Sequence, residues 1–192
     1  MKKVLFGIMA LSIAAFAANP GTDSEASVPV KVIAEIITAP TGLTITDEAG
    51  TVIDELLLDH GRIVKGAATS DSVAYKLFKV QRFDGTKPTK IGAGTLNVKL
   101  DEATTTLAKN GTSTASTLTS ALTLTGGATQ VSSKEYTHTT GADDTEHVGR
   151  VTSTIAKTEL LKTGIETGIH HNSRERTLTV VYTPAKPTEG GK

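Results

Sequence analysis

From residue 28 to 36 the chain alternates. Val28, Val30, Val32, Ala34 and Ile36 are apolar, and Pro29, Lys31 and Glu35 stand between them. Period-two alternation of this kind marks a strand with one buried face. Pro29 has no N–H to give to a ladder, which confines it to an edge or to the start of a strand. Ala39-Pro40-Thr41-Gly42 ends this run, residues 43–46 form a short second strand, and Asp47-Glu48-Ala49-Gly50 is a turn.

Further strands are expected along the rest of the chain. Residues 52–58 form one that ends at Asp59-His60-Gly61. Residues 72–83 alternate through Val73, Tyr75 and Leu77 and, after a change of phase, Val80. Residues 94–100 do so through Leu96, Val98 and Leu100. Residues 101–109 read as a loop or short helix, because Thr104-Thr105-Thr106 is poor helix material. Leu118, Leu122 and Leu124 introduce a strand before Gly126-Gly127, and residues 131–136 return from it. Residues 137–147 are polar and expected to be exposed. Residues 148–155 form a strand, residues 157–162 a short helix, and residues 176–183 a final strand carrying Leu178, Val180 and Tyr182. Seven or eight short strands at this spacing predict an all-β sandwich.

The start of the chain decides the expected compartment. Lys2 and Lys3 precede an uncharged apolar run from residue 4 to 16, which ends in Ala15-Phe16-Ala17. Such a run is short for a permanent span and has the small-x-small ending of a signal peptide cleaved after Ala17. The expected organisation is a signal peptide over 1–17, a flexible lead over 18–27 and a strand over 28–37. A β-sandwich over 38–183 and a polar tail over 184–192 complete it.

Removing Lys2 and Lys3 leaves 18 basic against 20 acidic residues. Neither a basic patch nor a further membrane-length apolar stretch remains, which argues against nucleic acid as a partner and against a direct membrane span after signal removal. With no cysteine, an exported domain cannot rely on disulfides, thiolate metal sites or thiol chemistry. The 33 threonines suit a pleated surface.

Candidate chemistry is sparse, and no catalytic residue, metal site or cofactor is expected. His138, Asp143, Asp144, Glu146 and His147 make the one local cluster that could ligate a metal, within the stretch expected to be solvated. An extended His170-His171 pair would point to opposite faces, which fits a loop or strand end better than a ligand pair. No Gly-x-Ser-x-Gly elbow or other nucleophile motif occurs. Gly92-Ala93-Gly94 leads into a strand and reads as a hairpin turn. Asn110-Gly111-Thr112 matches a glycosylation sequon, but Asn-Gly is also a strong turn signal, and the turn is the preferred reading.

The strand over 28–37 remains. It follows a polar lead and carries more apolar surface than an exposed edge tolerates. It is either the first strand of its own domain or a strand added to a partner's sheet, with main-chain bonds supplying affinity and alternate side chains filling pockets.

The residues in order resemble a known family. Val28 to Ile36 looks like a donor strand. Ala74 to Gln81 followed by Gly94 to Asp101 looks like a central hairpin. Leu122 through Ser133-Lys134-Glu135-Tyr136 is similar to a later hairpin, and Thr177 to Thr183 stands at the place of the last strand. The chain thus resembles the major, shaft-forming subunits of CS1 and CFA/I type fimbriae, the alternate or α class of chaperone-usher fimbriae. The resemblance implies an incomplete immunoglobulin-like sandwich, a periplasmic chaperone and an outer-membrane usher as assembly partners, and identical subunits joined by donor strand exchange in a cell-surface fibre. It makes Val28, Val30, Val32, Ala34 and Ile36 the inserting side chains, and places Leu178, Val180 and Tyr182 in the receiving groove. The alternative is a secreted, self-complete β-sandwich adhesin that binds carbohydrate or protein through its loops.

Overall fold

The computed structural model describes residues 40–186. Eleven strands and one helical turn follow one another in this order. They are β1 (Thr41–Thr46), β2 (Ser72–Asp84), β3 (Lys87–Thr89), β4 (Gly94–Leu100), β5 (Thr104–Lys109), β6 (Thr117–Thr125), β7 (Thr129–Ser132), β8 (Glu135–Thr140), β9 (Glu146–Ile155), α1 (Lys157–Leu160), β10 (His170–Asn172) and β11 (Leu178–Pro184). The fold is an antiparallel β-sandwich. One sheet has the order β1-β2-β9-β6-β5-β10, with β3 also paired to β2, and the other has the order β11-β4-β8-β7. No helix among the described residues is long and apolar enough to cross a membrane.

Alternation in the strands supplies the core between the sheets. Leu96, Val98 and Leu100 of β4 and Leu122 and Leu124 of β6 point inward, and Phe78, Val80, Ile91, Tyr136 and Val151 complete the main cluster. Each such side chain, once buried, contributes roughly 1.5–3 kcal/mol. The larger sheet extends beyond the smaller one. There Leu118, Ile155 and Leu160 form a second cluster with Ala68, Leu107 and Ile165 under the loops that flank α1.

Several expectations change. Residues 104–109 are strand and not loop or helix; three threonines in a row are β-branched, and Thr105 and Ala108 are buried against their neighbours. The expected strand over 52–58 forms no ladder. Val52 makes an isolated bridge to Thr46, and the residues after it run extended without strand pairing. The expected helix over 157–162 is the four-residue turn α1. Residues 137–147 are not a solvated loop. Most of them belong to β8 and β9, and His147 is 5% exposed. Asn110 (φ 52°) and Gly111 (φ 75°) form the turn between β5 and β6, the positive φ pair that Asn-Gly favours.

Candidate functional site

Sheet edges are where a sandwich meets other chains, because an edge strand presents unpaired N–H and C=O groups. Three of the edges here are blunted. The β10 strand has three residues, and β7 has four with a register shift between Gln130 and Ser132. Below its pairing with β1, which stops at Lys79, β2 carries Lys76 at its edge, opposite the inward-facing Val151. An inward-pointing charge on an edge discourages strand addition.

The remaining two edges differ. The seven residues of β11 and the six of β1 carry no charge. Arg82 pairs with Leu43 of β1, and its guanidinium stands 5.3 Å from the ring of Tyr182 in β11, so both edges border the same side of the sandwich. Leu43, Ile45, Leu178, Val180 and Tyr182 are all partly buried against the main core. Among the described residues the sandwich is therefore open along a seam between β1 and β11, lined by partly buried apolar side chains that reach the core.

Hydrogen-bond parity fixes what β11 presents along this seam. Asp101 N–H donates to Thr177 O (3.1 Å), and Ala185 N–H donates to Ala93 O (2.9 Å). Residues 177 and 185 thus direct their main chain toward β4 and its flanks. Antiparallel pairs alternate between bonded and non-bonded, so residues 179, 181 and 183 do the same. Leu178, Val180 and Tyr182, which pair with Leu100, Val98 and Leu96, turn their main-chain N–H and C=O groups away from β4 and into the seam. Pro184 follows with the same parity and no N–H, which ends the donor row. On β1, Ile45 O accepts from Ile53 N–H (3.4 Å), so Ile45 and Leu43 share the outward parity. The residues whose side chains face the core are those whose main chain faces the seam. Arg82 Nε is buried there without a hydrogen-bond partner among the described residues.

The sequence-derived receiving residues Leu178, Val180 and Tyr182 thus lie together on one edge strand. Tyr182 is fixed by its hydroxyl, which donates to Ala93 O (2.8 Å). The proposed inserting residues Val28, Val30, Val32, Ala34 and Ile36 lie outside the described residues, as do the expected signal peptide, the lead and residues 187–192 of the tail.

The His138 to His147 cluster is dispersed. His147 Nε2 is 2.9 Å from the Tyr136 hydroxyl, and its ring stacks on His138 with centroids 4.1 Å apart. We assign the Tyr136 O–H as donor. Burial raises the tyrosine's pKa, and burial together with the neighbouring His138 lowers that of His147 to about 4, so the imidazole is neutral and its Nε2 accepts. The acids point elsewhere. Asp143 meets Lys90 (2.5 Å), Asp144 accepts from Gly141 N–H (2.7 Å), and Glu146 meets Lys79 (3.1 Å). Stacked rings do not aim their lone pairs at a common point, and among the described residues no group of three or more His, Cys, Asp or Glu could hold a metal ion. His170 and His171 lie in β10, where His170 Nε2 bonds to Ser116 Oγ (2.9 Å) while His171 is exposed beside Gly111.

One polar constellation carried no signal in the sequence. His60 stands between two serines, Nδ1 at 3.0 Å from Ser72 Oγ and Nε2 at 2.8 Å from Ser153 Oγ, and Ser153 continues to Ser120 (2.5 Å). The separations of 12, 93 and 33 residues follow no motif. Ser153 is 4% exposed and Ser120 fully buried, so no substrate reaches either hydroxyl in this conformation. No family model matches the chain, and no curated protein is significantly similar to it.

Proposed function

We infer that the chain is an exported structural subunit of a bacterial surface fimbria, in which residues 28–37 of one copy insert into the seam of the next. The observation that carries this reading is the β11 edge. It is long, uncharged and half-covered, while the β10, β7 and lower β2 edges of the same sandwich are short, bulged or guarded by a charge. Three residues of β11 offer main chain unpaired among the described residues together with core-facing side chains, which is what an incoming alternating strand requires. Val28, Val30, Val32, Ala34 and Ile36 supply that alternation. Burying them contributes on the order of 8 kcal/mol before the entropy of association is subtracted. With main-chain bonds added, the contact is long-lived. Polymerisation joins identical subunits, and on this reading a periplasmic chaperone covers the seam until an outer-membrane usher aligns the exchange.

Paired cysteines test this in a chain that otherwise has none. Val180→Cys combined in turn with Val28→Cys, Val30→Cys or Val32→Cys is expected to give, in one of the three, a ladder of disulfide-linked multimers on a denaturing gel. A cross-link confined to the monomer band in all three would show that the strand pairs within its own domain.

A further inference from the structure

The segment that leaves β1 is held in an uncommon way. After the turn over 47–51, residues 53–61 run past the lower edge of β2 without strand pairing, with a bend at Asp54. Side chains alternate: Leu56 and Leu58 pack against the main core, between them Leu57 is 64% exposed, and His60 follows in the inward phase. The pattern is that of a buried strand, but the main chain is not in a ladder. Among the described residues, the bonds of this segment's N–H groups are Ile53 N–H to Ile45 O and Gly61 N–H to Asp59 Oδ1 (2.7 Å). A cleft of about 410 Å³, lined in part by Leu56, Leu57, Lys76 and Leu77, separates the segment from the edge of β2. Its far end is fixed by His60, whose two ring nitrogens meet Ser72 and Ser153 on neighbouring strands.

A segment anchored by side chains at two or three points opens more readily than one laddered on both sides, because few bonds must break together. Leu56 and Leu58 join the same core cluster as Leu178 and Val180. The strap therefore packs apolar side chains against the core onto which the seam opens, with the alternation an inserting strand would bring.

We propose that residues 53–61 are a displaceable strap, latched by His60 between Ser72 and Ser153, that covers the lower part of the seam and must lift for a strand from a second copy to insert fully. This rests on the donor-strand reading. The strap acts as an autoinhibitory contact: it shields the core of an unassembled subunit and sets the rate at which the seam is filled.

The test uses the full chain with His60→Ala, with His60→Gln, which keeps one donor and one acceptor, and with Ser72→Ala, which removes one latch bond. Two measurements are made on each, hydrogen exchange over 53–61 and uptake of a labelled synthetic peptide of residues 28–37. The expected result is that His60→Ala speeds exchange over 53–61 at least tenfold with β4 and β9 unchanged, and speeds peptide uptake by a similar factor. Ser72→Ala shifts both in the same direction, and His60→Gln restores much of the original behaviour. If exchange over 53–61 is unaltered in His60→Ala and Ser72→Ala, the latch is wrong. If the strap opens faster and uptake is unchanged, the strap is not a gate, and donor insertion stands. Absence of uptake by every form overturns donor insertion and the gate with it.

Discussion

Tyr136 is fully buried, and glycines make its pocket: a Cβ at Gly127 would collide with its ring, and one at Gly149 with its hydroxyl and the ring of Phe78. Overpacking a closed core costs about 1–3 kcal/mol, so Gly149→Ala is expected to lower the unfolding free energy, read from chemical denaturation, by that amount without altering secondary structure. The adjacent His147 makes stability depend on pH. Its folded pKa of about 4 lies below the ordinary 6.5, so in that window the unfolded chain binds a proton the folded one does not. This contribution is complete above pH 6.5 and declines as pH falls toward 4, by about 3 kcal/mol in all. His60, with its pKa lowered mainly by burial, contributes in the same direction. Denaturation midpoints measured across this range should show a slope that shrinks in His147→Gln, which keeps an acceptor for Tyr136 but does not titrate; an unchanged slope would assign the dependence to other groups. None of this was legible in the sequence. His147 stands among polar neighbours, and only its phase with Gly149, Val151, Ser153 and Ile155 could have placed it on the inner face of β9.

At the scale of elements, strands that bury one whole face were legible, because β4 and β11 repeat apolar side chains every second residue. Thr104–Lys109 was not, since a threonine run has no strong hydrophobic period, and what makes it a strand is the pairing of Thr105 with Ser120 and of Leu107 with Leu118. The segment after Val52 shows the opposite failure. Its alternation is real and faces the core, but β1 leaves the ladder at Thr46 and the chain passes the edge of β2 unpaired, so side-chain phase survives without main-chain pairing. Periodicity reports which side chains are buried; it does not report hydrogen bonds. The receiving residues Leu178, Val180 and Tyr182 were legible as one face of a strand. That their main chain also faces outward follows only from the pairing with β4. This parity makes a sharp test possible. A proline at residue 180 removes an N–H that β4 does not use, as Pro184 already does two steps of the alternation further on. Val180→Pro is expected to keep the sandwich folded, with a modest stability loss from the missing side-chain packing, and to prevent assembly as read by analytical ultracentrifugation. Assembly at the original level would show that the β11 edge is not where copies meet.

For the whole molecule, the question is what closes a sandwich that has no disulfide and few aromatic side chains. Its larger sheet is covered in part by loops, and its β1 and β11 edges leave core-facing side chains partly open. On the donor-strand reading, stability and assembly are one property: residues 28–37 of a neighbouring copy fill the seam and supply the burial and the ladder that the described residues leave open. The direct measurement compares thermal stability and size distribution in two variants, one lacking residues 28–37 and one in which the same ten residues are removed from the N-terminal side and grafted after Thr183 through a short linker, where they can fold back on β11. The deleted chain is expected to lose stability and not to polymerise, and the grafted chain to be a monomer at least as stable as the parent. A deleted chain that still forms polymers with unchanged stability would contradict the donor-strand reading.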